Sequence, residues 1–294
     1  VLSAATDAVR SDPSTMLKEF KAATVLGDIR LAQDGAIGDS FPTISAVGPN
    51  GAIIHYQPQE GSDSLITLDA MYLCDTGGQY LDGTTDITRT MHFGTADADQ
   101  TRCYTRVLQG HLALAGAVFP SGTPGLMLET LARAPLWKDG LEYAHGTGHG
   151  IGAYMNVHEG PMGIGGGNVS GDMLRGNQNM INKYLEPFKE GMYVSDEPGF
   201  YNEGSWGIRI ESDIISVAHT TKYEHGARPW LKFDYMTKVP FCPNLIDMSL
   251  LSPAEVELID NYHADVRKSV TPLLTPAAAK WLVRETMPLA QRGN

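Results

Sequence analysis

Thiols, basic side chains and long apolar runs are all scarce in this sequence, and each scarcity removes a class of protein. The three cysteines, Cys74, Cys103 and Cys242, cannot all pair, and their spacing matches neither a disulfide framework nor a thiolate metal site. A reducing, cytoplasmic setting is the simplest expectation. Lysine and arginine number 22 against 34 aspartates and glutamates, for a net charge of −12. That balance argues against nucleic acid or an anionic membrane as a partner, because both select basic surfaces. No apolar run reaches the length needed to cross a bilayer, and the N-terminus lacks the basic segment and apolar stretch of a secretion signal. What remains, 294 residues of which 42% are hydrophobic, is ordinary for one large globular unit with a substantial core. Asn168-Val-Ser170 matches a glycosylation sequon, a triplet that arises often by chance.

Acidic residues are where the sequence becomes specific. Asp75 and Asp86 lie eleven residues apart in a β-rich stretch, Cys-Asp-Thr-Gly-Gly-Gln-Tyr-Leu-Asp-Gly-Thr-Thr-Asp, broken by a Gly-rich turn, and are expected to face one another across a hairpin. His149 follows in His-Gly-Thr-Gly-His-Gly, Glu197 in Ser-Asp-Glu-Pro-Gly, and Glu211 in Arg-Ile-Glu-Ser-Asp. Four carboxylates with one imidazole suit manganese, cobalt or zinc by ligand type. Carboxylates also bridge, so these five side chains can serve two divalent ions. Paired ions supply hydroxide near neutrality and polarise a carbonyl, which points to amide hydrolysis.

With these motifs the chain resembles the pita-bread metallopeptidases. Phe41-Pro-Thr-Ile-Ser, Gly48-Pro-Asn-Gly-Ala-Ile-Ile-His-Tyr, Asp82-Gly-Thr-Thr-Asp-Ile-Thr-Arg-Thr-Met-His-Phe-Gly and Trp281-Leu-Val-Arg-Glu-Thr-Met-Pro-Leu are similar to the cytosolic eukaryotic aminopeptidase P, or X-prolyl aminopeptidase, branch of that family. The likeness runs from Phe41 to the C-terminus. It implies an α+β fold, a curved antiparallel sheet covered by helices, with a helical segment over residues 1–40, a catalytic domain over 41–240 and a C-terminal extension over 241–294. It implies peptides with proline second as substrates, manganese as the first choice of ion with zinc or cobalt admissible, and a homodimer. The family also carries N-terminal domains and an opening helix ahead of this point, which the chain begins too late to contain.

The resemblance assigns roles residue by residue. Asp75 would chelate one ion, Asp86 and Glu211 would bridge, and His149 and Glu197 would complete the coordination of the other ion, with Glu197 also able to receive the proton of the attacking water. His55 and His158 would line the substrate site and aid the oxyanion or the leaving nitrogen. Tyr201 matches a position near the proline pocket. His145, four residues before His149, is expected to face the same pocket. Arg209, two residues before Glu211 on one strand, should share its face and hold a ligand such as Asp75 ionised. His92, His111, His219, His225 and His263 read as surface or satisfied core. Prolidases and methionyl aminopeptidases would share the five ligands. A non-catalytic scaffold would have lost some of them, and an inactive fragment would keep them without a complete cleft.

Local pattern gives the elements. The first forty residues are helical in flavour, with Ser14 and Thr15 ahead of Met16-Leu-Lys-Glu-Phe-Lys-Ala-Ala, and are expected to pack on the sheet and carry no chemistry. Strands are expected at Thr43-Ile-Ser-Ala-Val, Ala52-Ile-Ile-His-Tyr, Ile66-Thr-Leu and Ala70-Met-Tyr-Leu-Cys-Asp. A helix after Asp97 or Asp99 buries Val107, Leu108, Leu112, Ala115 and Val118 and ends at Pro120, and a second runs from Gly125 to Trp137. Residues 163–183 lack periodicity and read as a loop. Strands return at Met192-Tyr-Val-Ser-Asp-Glu and Arg209-Ile-Glu-Ser-Asp-Ile-Ile-Ser-Val. Ser252-Pro-Ala-Glu is a capping box opening a helix with Val256, Ile259, Tyr262 and Val266 inward, and Thr275-Pro276 starts the last helix.

Overall fold

A computed structural model describes residues 17–166, 177–223 and 225–292. Ser14, Thr15 and Met16, expected to open the first helix, and the sequon at Asn168 lie outside the described residues. The first described helix, α1, spans Glu19–Leu31. Three strands, β2 (Ile44–Val47), β3 (Met71–Thr76) and β6 (Ile87–His92), form an antiparallel sheet in that order, with Ile44 opposite Asp75 and Asp75 opposite Thr88. Short strands β1 (Ala36–Asp39), β4 (Gly78–Tyr80) and β5 (Gly83–Thr84) make a second antiparallel sheet beside it. The Gly-rich stretch between Asp75 and Asp86 is therefore a small hairpin standing on the larger one.

Two helices follow. α2 (Ala98–Ala115) opens on a full capping box, in which Asp97 accepts from the amides of Asp99 and Gln100. α3 (Gly125–Trp137) has the predicted bounds. The expected run of α2 to Pro120 is wrong. The chain leaves the helix at Gly116, and β7 (Val118–Pro120) becomes an edge strand with Val118 45% exposed. A proline suits such an edge because it has no N–H to donate. β7 closes one side of a four-stranded antiparallel sheet ordered β10 (Tyr193–Asp196), β13 (Ser212–His219), β14 (Trp230–Tyr235), β7. Two-stranded pairs β8 (Gly148–His149) with β9 (Gly163–Ile164), and β11 (Gly199–Asn202) with β12 (Trp206–Arg209), complete the strands.

Three other expectations fail for tertiary reasons. Residues 52–56 form no strand. Gly48–Ala52 is a 3-10 turn lying on β12, so close that a side chain on Gly207 would sit 1.8 Å from the Gly51 carbonyl. Ile66-Thr-Leu contributes only a neighbouring bridge, Lys18 to Leu65, so its β-branched residues serve packing alone. Residues 163–183 are not simply a loop, because β9 starts them and α4 (Gln178–Leu185) closes them, capped by the Asn177 side chain on the Met180 amide.

The main core lies between the β2–β3–β6 sheet, α2 and the C-terminal helices α5 (Pro253–Val270) and α6 (Pro276–Glu285). Ile259, Tyr262 and Val266 are buried there as the stripe predicted, and Ser252 caps α5 through the Glu255 amide. A second cluster fills the space between α3 and the four-stranded sheet. The C-terminal segment is locked to the sheet by Arg89, only 2% exposed. Its guanidinium donates to the carbonyls of Val239 (2.8 Å), Pro240 (3.2 Å), Thr88 (2.9 Å) and Glu211, to Ser212 Oγ (3.1 Å) and to the Tyr262 hydroxyl (2.9 Å). Arg89→Met keeps the aliphatic stem and strands these acceptors. A loss of about 3 kcal/mol or more is expected in denaturant unfolding, since each orphaned buried polar group costs roughly 1–3 kcal/mol. A change under about 0.5 kcal/mol, the level of an ordinary surface substitution, would show that the network is dispensable.

Candidate metal centre

The predicted strand Arg209–Val217 is broken in the middle, and the break is what places the acids. β12 ends at Arg209 and pairs with β11, while β13 begins at Ser212 and pairs with β10 and β14. The chain changes sheets at residues 210–211, leaving Glu211 at the crossing. Glu197 lies at a second crossing, between β10 and β11, and Asp86 just ahead of β6. Asp75 is on β3, and His149 on β8. β8 can approach β10 because residue 148 is glycine, since a Cβ there would be 2.0 Å from the Ser195 carbonyl. All five converge on a cleft of about 190 Å³, which His55, His158, Arg209 and the apolar Phe41, Ile44 and Ile54 also line.

Two triplets of ligand atoms assemble there, Asp75 with Asp86 and Glu211, and His149 with Glu197 and Glu211, each within 4.8 Å. Glu211 belongs to both. Asp86, His149 and His158 form a third such group, so His158 stands nearer the carboxylates than a substrate-contact role alone requires. His149 Nδ1 points at the Gly150 carbonyl (3.0 Å), which makes it the protonated nitrogen and turns the Nε2 lone pair inward. That lone pair faces Asp86 Oδ2 and Glu197 Oε1, each at 3.5 Å. Oδ1 of Asp75 and Oδ1 of Asp86 are buried without a protein partner. Acceptors aimed at acceptors, with buried carboxylate oxygens left over, fit divalent cations.

The electrostatics agree. Desolvation holds Asp86 and Glu211 well above the usual carboxylate range, with repulsion from Asp75 and Asp86 respectively adding to it. Desolvation pushes Glu197 up to about 7, against the pull of His149 and Arg209. Arg209 answers part of this charge, donating from Nη2 to Asp75 Oδ2 (2.6 Å), from Nη1 to the Tyr201 hydroxyl (2.9 Å) and from Nε to Thr88 Oγ1 (3.0 Å). Tyr201 meets His145 Nε2 at 2.9 Å, and His145 Nδ1 meets the Gly146 carbonyl at 2.8 Å. Burial lowers His145 to about 4, so it is neutral and its Nε2 accepts from Tyr201. His145 and Tyr201 thus reach the site through Arg209 and do not line the cleft themselves, whereas His55 and His158 stand open to it.

Three side chains that the sequence did not single out complete the site. Thr88 donates to Glu211 Oε2 (2.6 Å) while accepting from Arg209, and Ser195 Oγ accepts from the His149 amide (3.0 Å) and reaches Glu197 (3.3 Å). Asp213 Oδ2 accepts from the Asp86 amide (3.0 Å) and the Tyr193 hydroxyl (2.7 Å). Each sits two residues from a ligand, which is the signal that strand periodicity offered. Of the histidines read as surface or satisfied core, His111 is buried with Nδ1 3.2 Å from Asp196 Oδ2, directly behind Glu197.

The profile of metallopeptidase family M24 matches residues 1–217, and that of the C-terminal region of peptidase_M24 matches 229–289. A probable Xaa-Pro aminopeptidase P of Paracoccidioides brasiliensis is 45% identical over 94% of this chain and 43% of its own length. One of Aspergillus fumigatus is 46% identical over 94% of this chain and 41% of its own. The crystal structure of an X-prolyl aminopeptidase from Caenorhabditis elegans, described as a cytosolic enzyme with a di-nuclear active site, superposes with a TM-score of 0.87 at 36% identity, covering 98% of this chain and 44% of that one. Prolidase from Pyrococcus furiosus gives 0.56 at 27% identity, over 73% and 55%. The chain therefore spans less than half the length of the curated relatives it matches. Open antiparallel sheets backed by helices are the pita-bread architecture of these enzymes.

A carboxyl held above its ordinary value binds its proton more readily folded than unfolded. Its contribution to stability is present at low pH and lost as pH rises through the folded value. With chelator, the thermal midpoint of this chain should therefore fall as pH climbs from about 4.5 to about 8, the span set by Glu197 and by Asp213, which burial raises to about 8. Added manganese(II) should raise the midpoint most at the upper end. A metal-free profile that rises across this window would contradict the reading of the cluster.

Proposed function

The chain belongs to metallopeptidase family M24, and we propose that it is the catalytic part of a two-metal aminopeptidase that removes the first residue of peptides with proline second. The observation carrying this reading is the pair of ligand triplets sharing Glu211 in one cleft. The 45% and 46% identity to probable Xaa-Pro aminopeptidases P over 94% of the chain favours the aminopeptidase over the dipeptidase reading. Manganese is the ion we assign, and Asp75, Asp86 and Glu211 would hold one ion while His149, Glu197 and Glu211 would hold the other. When bound, such ions lower the pKa of a water and polarise the carbonyl under attack. We also assign a homodimer in the cytosol, on the strength of the family resemblance.

The chain's own residues then have distinct tasks. Glu197 takes up the proton of the attacking water. His158, which desolvation and His149 lower to about 4, is a neutral imidazole at working pH. It can donate to a developing oxyanion without carrying charge into the cleft. His55 faces the same space and serves the substrate or the leaving nitrogen. Arg209 holds Asp75 oriented, and Tyr201 and His145 hold Arg209.

Hydrolysis of Ala-Pro-Ala, Ala-Pro and Ala-Ala-Ala by the manganese-loaded chain tests the assignment. Cleavage confined to the proline-second tripeptide supports it, cleavage of Ala-Pro alone points to a dipeptidase, and none to a scaffold. Asp86→Ala or Glu211→Ala should abolish turnover and reduce bound metal by elemental analysis. Two ions per chain with near-normal turnover in either variant would overturn the shared-ligand arrangement. His158→Ala should keep its metal and lose roughly 10²–10⁴-fold in kcat, the usual cost of a positioned acid or base. A rate within a few-fold of the parent would make His158 structural.

A further inference from the structure

Glu19, in the first turn of α1, is a carboxylate with no solvent exposure, far in sequence from every residue of the site. Its two oxygens collect four neutral donors from the last residue of β2 and the segment that follows it. Oε1 accepts from the Val47 amide and from Asn50 Nδ2 (2.9 Å), and Oε2 from the Tyr56 hydroxyl (2.9 Å) and the Ser64 amide (2.8 Å). Asn50 Nδ2 also reaches the Tyr56 hydroxyl at 3.1 Å. The Glu19 amide donates to the Ser64 carbonyl (3.0 Å), so both ends of the segment are tied to one point on α1. Among the described residues no cation pairs with Glu19, and the adjacent Lys18 pairs with Asp63.

The start of this segment docks on β12 through Gly51 and Gly207, but residues 53–57 join no strand ladder, yet Ile54, His55 and Gln57 line the cleft. Among the described residues the His55 side chain makes no hydrogen bond of its own, so its position depends on its backbone. The nearest anchor is the next residue, Tyr56, through its bond to Glu19. Burial, then Glu19, raises Tyr56 to about 12, and it remains a phenol able to donate. We propose that Glu19 is a positioning residue for catalysis, acting through Tyr56 and Asn50 to hold His55 at the cleft. The residues preceding the sheet, expected to carry no chemistry, would then set the geometry of one of its imidazoles.

The proposal rests on the role given to His55 above, and its test separates the two. Glu19→Gln keeps the shape but turns an amide NH₂ toward donors. The metal-loaded variant is expected to retain its ions, to lose amide-exchange protection over residues 50–57, and to lose up to about 10²-fold in kcat for Ala-Pro-Ala, the scale of an ångström-sized misplacement. In the His55→Ala background the same change should cost nothing further, within about twofold. Tyr56→Phe should repeat the pattern more weakly, and it stands in if Glu19→Gln does not accumulate folded. Unchanged exchange protection, or losses that multiply in the double variant, overturns the proposal. A parent that hydrolyses no proline-second peptide condemns the assigned activity instead, leaving the anchor to be judged by exchange alone.

Discussion

Repulsion among carboxylates gathered in a water-poor cleft is the constraint around which the rest of the molecule is arranged. Two like charges about 4 Å apart repel by roughly 4 kcal/mol at the effective dielectric of such a place. Asp75, Asp86, Glu197 and Glu211 all face one another there, with Asp213 directly beneath Asp86. The lining guanidinium, Arg209, is committed to Asp75. A chain free to relax would swing these side chains apart. Here each is pinned from behind: Glu211 by Thr88, Glu197 by Ser195, and Asp86 through its own amide by Asp213. The cluster is held ready for cations at a cost in stability, which is the general logic of a preorganised site.

Pinning of this kind needs rigid backbone at points where side chains can still project into a cleft, and breaks between antiparallel sheets supply them. Inside a continuous strand, alternate residues point to opposite faces, and neighbouring acids on one face would stack in a row. At residues 210–211 and again at 197–198 the chain leaves one sheet for another. Glu197 and Glu211 thereby stand beside one another where two paired strands both change sheets, while Asp75 stays within its ladder opposite Thr88. Small residues make the crossings tight, as Gly148 does against Ser195.

How much of this the sequence disclosed follows from the range of the interactions involved. Capping chemistry and helical periodicity are local, so α2, α3, α5 and α6 were legible at their starts, from Asp97, Gly125, Ser252 and Thr275. Asp75, Asp86, His149, Glu197 and Glu211 were legible as a set because motif spacing carries them, and the fold brings them to one cleft. Residues 52–56 misled because Ile53 and Ile54 favour a strand, while the docking of Gly51 on Gly207 decides otherwise. The break after Arg209 was invisible because Ile-Glu-Ser-Asp-Ile-Ile-Ser-Val alternates well enough for an unbroken strand. Asp213 was marked only by standing two residues from Glu211, and Glu19 carried no local mark at all, since its partners lie 28 to 45 residues away.

The same distinction of range bears on the C-terminal segment, which pattern alone makes look like an appendage. Arg89 on β6 donates to the carbonyls of Val239, Pro240 and Glu211 and to the Tyr262 hydroxyl of α5. Tyr262 in turn donates to the Val239 carbonyl at 2.8 Å. One buried guanidinium therefore joins the strand leading from Asp86, the backbone under Glu211 and the helix that closes the core. The Glu211 carbonyl is bound on the face away from the cleft while its carboxylate is bound by Thr88 on the face toward it. A residue held at both ends can bear a repelled charge without turning away, so the C-terminal helices act on the acidic cluster although no atom of theirs reaches it.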